Sequence, residues 1–154
     1  MRVSVVGGSR VDPETTAVAE ALGTTLAERG HTVICGGLGG VMTAVCRGAK
    51  RVDGDTVGVL PTDDPADANE FVDTPIATGM GHGRNAIVAM NGDAMIAVNG
   101  GYGTLSEIAI GCVYGLPVAG LDTHDVDGVE PVETPAEAVD YVEAAVDGDH
   151  GVGD

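Results

Sequence analysis

Short apolar, β-branched runs alternate along the chain with longer stretches whose apolar residues recur every three or four positions. The first kind of pattern predicts strands and the second predicts helices. Residues 2–8 (RVSVVGG) open as a strand that ends on Gly7 and Gly8. Asp12 is then placed to cap a helix with Pro13 at its first position, Val18, Leu22 and Leu26 on one face, and Gly30 at its end. Residues 31–37 (HTVICGG) give a second strand, residues 41–50 a helix, and residues 55–61 (DTVGVLP) a third strand closed by Pro61. The acidic, turn-rich segment 63–73 (DDPADANEFVD) reads as a solvated loop leading to a fourth strand near 74–78. A helix over 85–90, a strand opening at Ala94, a helix over 104–114 and the strand LPVAGL (116–121) follow. The last helix carries a capping box, Thr134 with Glu137, with Pro135 at its first position and Val139, Val142 and Val146 facing inward.

This alternation is that of stacked βαβ units, so the fold class is α/β, a single doubly wound parallel sheet with helices on both faces. The domain is expected to span residues 1–146, with 147–154 a flexible acidic tail. Strand, glycine turn and helix recur at VVGGSR, ICGGLGGVM and VNGGYGT. In such a sheet these turns fall at the carboxyl ends of the strands, so three glycine-rich loops should line one crevice.

Composition narrows the function. The chain has 154 residues, 44% of them hydrophobic, which supports one packed core. Its formal charge is −17 and Lys50 is its only lysine. Such an acid-coated surface repels itself unless salt screens it, which predicts a salt-loving, haloarchaeal host. No lysine–arginine cluster is available for a phosphate backbone, so no nucleic-acid partner is expected. Cys35, Cys46 and Cys112 are widely spaced among apolar residues, as reduced core thiols of a cytoplasmic protein would be. The four histidines form no ligand spacing, no apolar stretch reaches the ~20 residues of a membrane span, and no secretory leader is recognisable. No metal and no membrane partner are expected.

Glycine after a strand lets backbone N–H groups approach a ligand without an intervening Cβ, a geometry suited to phosphate. The binding candidates are Gly7, Gly8 and Ser9, then Gly36, Gly37, Gly39 and Gly40, then Gly100, Gly101, Gly103 and Thr104. No loop has the GK[ST] ending of a P-loop or the GxGxxG spacing with a distant acid that marks dinucleotide binding. Glu107 is expected to do two things at once, closing a capping box with Thr104 and placing a carboxylate at the crevice floor to face the ligand. Arg84, rare as a cation here, sits where the fourth βα loop should open onto the same crevice, beside Asn85, which offers both donors and acceptors.

The segments CGGLGGVMTAVCRGA, GHGRNAIV and NGGYGTLSEIAIG together resemble the LOG (LONELY GUY) superfamily of Rossmann-like proteins, often labelled lysine decarboxylase-like. That resemblance implies cleavage of the N-glycosidic bond of nucleoside 5'-monophosphates with Arg84 and Glu107 as catalytic residues, and a phosphate loop at Gly100, Gly101, Gly103 and Thr104. Two positions depart from the LOG pattern, which has lysine at Asn85 and proline at Asn99. Both departures resemble instead the branch of molybdenum cofactor carrier proteins, which bind a pterin phosphate. The expectation is a carrier or binding protein for a phosphorylated small molecule, a nucleotide or a molybdenum cofactor of the molybdopterin type; the alternative is a LOG-type phosphoribohydrolase. Helices 85–90 and 105–114 are apolar on more than one face, and with the resemblance this predicts a homodimer or homotetramer.

Overall fold

A computed structural model describes residues 1–152. Seven strands form one sheet: β1 (Arg2–Gly7), β2 (Thr32–Cys35), β3 (Thr56–Leu60), β4 (Thr74–Ala77), β5 (Ala94–Val98), β6 (Val118–Leu121) and β7 (Val129–Val132). All pairings are parallel, in the order β4-β3-β2-β1-β5-β6-β7. Among the described residues five α-helices cover it: α1 (Pro13–Glu28), α2 (Val41–Lys50), α3 (Arg84–Met90), α4 (Tyr102–Val113) and α5 (Pro135–Val152).

The period of two along each strand sorts the core into two layers. Val3, Val5, Val33, Cys35, Ala94, Ile96 and Val98 pack with α1, α2 and α5, while Val6, Ile34, Met95 and Ala97 pack with α3 and α4. Leu22 and Leu26 of α1 and Ile108 of α4 are fully buried in these layers. The direction of winding reverses at β1, which pairs with β2 on one side and β5 on the other. The loops after β1 and β5 therefore leave toward opposite faces and open a crevice between them.

Local signals account for the helix boundaries. Asp12 Oδ1 accepts the Thr15 N–H at 2.8 Å, and Gly30 beyond the end of α1 has φ +78°. At α5, Thr134 Oγ1 accepts the Glu137 N–H at 3.2 Å, while the Glu137 carboxylate reaches the N–H of Glu133 instead of that of Thr134. Val139 and Val142 are buried and Val146 is partly so. The frayed tail expected from Asp147 lies partly within α5, whose backbone runs helically to Val152, and partly outside the described residues.

Three further expectations are corrected. The edge strand β7 was not predicted, since its VEPV carries a proline and an acidic residue; as an edge strand it tolerates Pro131. Segment 63–73 is not simply solvated. Asn69 donates its N–H to Gly37 O at 2.9 Å and its side-chain amide to Leu38 O at 2.9 Å, and Phe71 and Val72 pack against the core. Helix α4 starts two residues before Thr104, with consequences for the site. Among the described residues no helix is long and apolar enough to cross a membrane, and no group of three or more His, Cys, Asp or Glu side chains is placed to hold a metal ion.

Candidate functional site

At the carboxyl ends of the central strands lies a crevice of about 490 Å³. Its walls include Gly7, Gly8 and Ser9 after β1, Gly36 after β2, Arg84 and Asn85 at the start of α3, and Gly101, Gly103, Thr104 and Glu107 of the loop and helix after β5. The chain thus brings its three glycine-rich turns and both proposed catalytic side chains to one place. Gly37, Gly39, Gly40 and Gly100 stand behind this lining. Gly40 precedes α2 at a place where an added Cβ would meet Gly8 O, the Val41 N–H donates to that oxygen at 3.0 Å, and the carbonyl of Gly37 holds Asn69.

Arg84 is only 8% exposed although it is charged. Its guanidinium is held by backbone and side-chain acceptors: Nε donates to Val59 O at 2.9 Å, Nη2 to Gly36 O at 3.4 Å and Nη1 to Asn85 Oδ1. A side chain at Gly36 would displace this guanidinium from its acceptors, because a Cβ there would stand 2.6 Å from Nη2. Asn85 passes the network on. Its Nδ2 donates to Ser106 Oγ at 3.2 Å, and Ser106 Oγ donates to Gly103 O at 2.6 Å, so α3 and the start of α4 are tied together beside the crevice. Ser106 was missed by sequence reasoning, since a serine inside a helix carries no pattern of its own.

Glu107 does not close a capping box. The N-cap residue of α4 is Gly101, and Thr104 is already helical. The cause is the turn before it. Asn99 and Gly100 take φ +54° and +108°, with Asn99 Oδ1 accepting the Gly100 N–H at 2.6 Å, and this lets the helix begin at Tyr102. Gly100 must be glycine for two reasons, its left-handed φ and the Thr104 Oγ1 that would lie 2.2 Å from an added Cβ. Glu107 thereby falls in the second turn, 7% exposed, with no hydrogen-bond partner among the described residues. Burial pushes its carboxyl up to about 8, against the opposing pull of Arg84. Burial likewise lowers Arg84, and Glu107 opposes it, but a guanidinium stays charged.

At neutral pH the crevice therefore holds a buried cation and a mostly protonated carboxyl. The N–H groups of Gly101, Tyr102, Gly103 and Thr104 have no partner among the described residues, as the first N–H groups of a helix do not. Donors and positive charge converge in a protein that is acidic elsewhere. A larger cavity of about 720 Å³ lies on the other side of Asn99, but its charged lining is Asp12, Glu14, Asp122, Asp125 and Glu133, which would repel an anion.

The family model of the SLOG cluster4 family matches residues 1–147. Over 112 residues the chain is 38% identical to a probable cytokinin riboside 5'-monophosphate phosphoribohydrolase of Oryza sativa subsp. japonica, covering 70% of this chain but 46% of that protein. The molybdenum cofactor binding protein of the phototrophic bacterium Rippkaea orientalis has the same fold with TM-score 0.88 and 30% identity, covering 94% of this chain and 96% of that one. The molybdenum cofactor carrier protein of Chlamydomonas reinhardtii matches with TM-score 0.83 and 30% identity, covering 93% and 96%. With the model matched over nearly the whole chain, and with LOG-type and molybdenum-cofactor proteins as its relatives, this protein belongs to the SLOG cluster4 family.

Proposed function

We propose that this protein binds a phosphorylated small molecule, a nucleotide or a molybdopterin-type cofactor, as a binding or carrier protein. The observation that carries the proposal is the meeting, in one crevice, of the unpartnered α4 N–H groups with the buried Arg84 guanidinium. A phosphate on the N–H groups of residues 101–104 would satisfy donors that the fold leaves free, and the helix dipole adds to the attraction. The likeness to molybdenum cofactor proteins supports the carrier reading. Mass spectrometry of the small molecule that copurifies with the protein tests it. A phosphorylated pterin or nucleotide is the expected result, and a ligand without phosphate would overturn it.

A second reading is LOG-type hydrolysis, supported by the relation to the rice protein and by the presence of both Arg84 and Glu107 in one crevice. Here Arg84 would hold the phosphate-bearing ribose while Glu107 engages its hydroxyls or a water as charge develops at the anomeric carbon. Release of adenine from AMP by the wild-type protein, lost in Glu107→Gln, would decide for this reading. For quaternary structure we propose a second copy of this chain against the outer side of α3 and α4, where Met90, Val113 and Tyr114 are exposed.

A further inference from the structure

Two side chains from a distant loop grip the backbone of the anion loop from behind. Thr123 Oγ1 donates to Asn99 O at 2.7 Å, and His124 Nε2 lies 2.9 Å from Gly101 O. Both belong to the connection between β6 and β7, and both face the larger cavity, not the crevice that holds Arg84. We infer that Thr123 and His124 are positioning residues of the phosphate site, acting through the carbonyls of Asn99 and Gly101; this rests on the reading of the crevice as a phosphate site.

The physical reason is the planarity of the peptide unit. In a trans peptide the C=O and the following N–H point in opposite directions, so a donor that holds the Gly101 carbonyl on one side of the loop aims the Tyr102 N–H at the other. The Gly101 carbonyl is shared with the Leu105 N–H at 3.0 Å, which leaves its second lone pair for the imidazole. For His124 to donate, Nε2 must carry the proton. Asn99 and Gly100, both left-handed, form the part of the loop most easily reversed, and a flip of the peptide between them would break the bond from the Gly100 N–H to Asn99 Oδ1 and disturb the turn that sets where α4 and its free N–H groups begin. Thr123 opposes that flip at Asn99.

The grip is itself anchored. The Asn99 N–H donates to Leu121 O at 3.0 Å, and Asp122 takes φ +48°, so the chain turns back over the loop as soon as β6 ends. The Thr123 methyl packs on Gly120, where an added Cβ would lie 2.7 Å from it. Thr123 therefore cannot swing away from Asn99 without losing this contact.

The test is calorimetric titration of inorganic phosphate, AMP and adenosine into the wild type, Thr123→Val, His124→Ala, Thr123→Ser and His124→Gln. Losing one donor should weaken phosphate and AMP by roughly three- to tenfold in the valine and alanine variants. Adenosine binding should be unchanged, and serine and glutamine, which keep a donor, should restore the affinity. Equal AMP affinity in all five proteins would overturn the positioning role while leaving the phosphate site standing, and so would parallel losses for AMP and adenosine. A wild type that binds neither phosphate nor AMP would overturn the site and this inference with it.

Discussion

Arg84 and Glu107 share one crevice without forming an ion pair: the guanidinium spends its donors on Val59, Gly36 and Asn85, and Glu107 stands unbonded near it. The cation is thus fixed in place by neutral acceptors, and its charge is left for a ligand. A carboxylate bonded directly to it would have cancelled that charge.

A pH dependence follows. Because Glu107 is raised from 4.5 to about 8, the folded protein holds a proton that the unfolded chain has released between those values. Its contribution to stability is complete below 4.5 and is lost as pH rises through 8, at up to about 1.4 kcal/mol per pH unit. The lowered carboxyls of Asp12, Asp73 and Glu143 act in the opposite direction and at lower pH, so they do not overlap this window. Glu107→Gln should therefore gain stability relative to wild type as pH rises from 5 to 8. Denaturant unfolding across that range checks it, and a constant difference between the two proteins would contradict it.

Removing the cation should cost affinity more than fold. Hydrogen bonds to a charged partner contribute about 1.5–3 kcal/mol, so Arg84→Ala should weaken AMP binding by roughly tenfold or more. Arg84→Lys should recover little of this, because an ammonium cannot reach Val59 O, Gly36 O and Asn85 at once while facing a phosphate. Calorimetry measures both, and an alanine variant within twofold of wild type would exclude Arg84 from the binding site.

Most of the fold could be read from the chain because its signals are local. Asp12 with Pro13, the glycine after each strand and the apolar runs of β1, β2, β3 and β5 each specify their own element. The strand β7 escaped because an edge strand needs little apolar character, and its VEPV is set by pairing with β6. The capping-box reading of Thr104 and Glu107 failed for a different reason. Where α4 begins is decided by the left-handed turn at Asn99 and Gly100, and spacing alone does not tell a cap from a buried carboxyl one turn further in. Arg84, Glu107 and the glycines of the lining were legible from residue type and position after a strand. Ser106, Thr123 and His124 were not, since each acts through a backbone carbonyl brought near by the tertiary fold.

The exposed apolar side chains of α3 and α4 predict self-association. Val113 is 81% and Tyr114 59% exposed, so the double variant Val113→Asp, Tyr114→Asp should place charges in a desolvated interface. Light scattering should give a dimer or larger for the wild type and a smaller mass for the variant, with helical content unchanged. A monomeric wild type at micromolar concentration would refute the interface.

Salt should stabilise this protein, and the way in which it does so identifies the cause. The chain has 24 acidic residues against 7 lysines and arginines. Arg29 pairs with Asp140 and Glu143, Arg47 and Arg51 both pair with Glu20, and Lys50 pairs with Asp73. Among the described residues, the other carboxylates have no such lysine or arginine partner. Screening weakens these partly exposed pairs, each worth about 1 kcal/mol, but it weakens repulsion among many more unpaired carboxylates. The balance favours the folded state as salt rises. The Debye length is about 10 Å at 0.1 M and already about 3 Å at 1 M, so relief of repulsion should be nearly complete by then. A melting temperature that climbs steeply in KCl up to about 1 M and then flattens would mark screening of the acidic surface. A slow, even climb to about 2 M would point instead to salt strengthening apolar burial, and no change between dilute buffer and about 2 M would contradict the prediction.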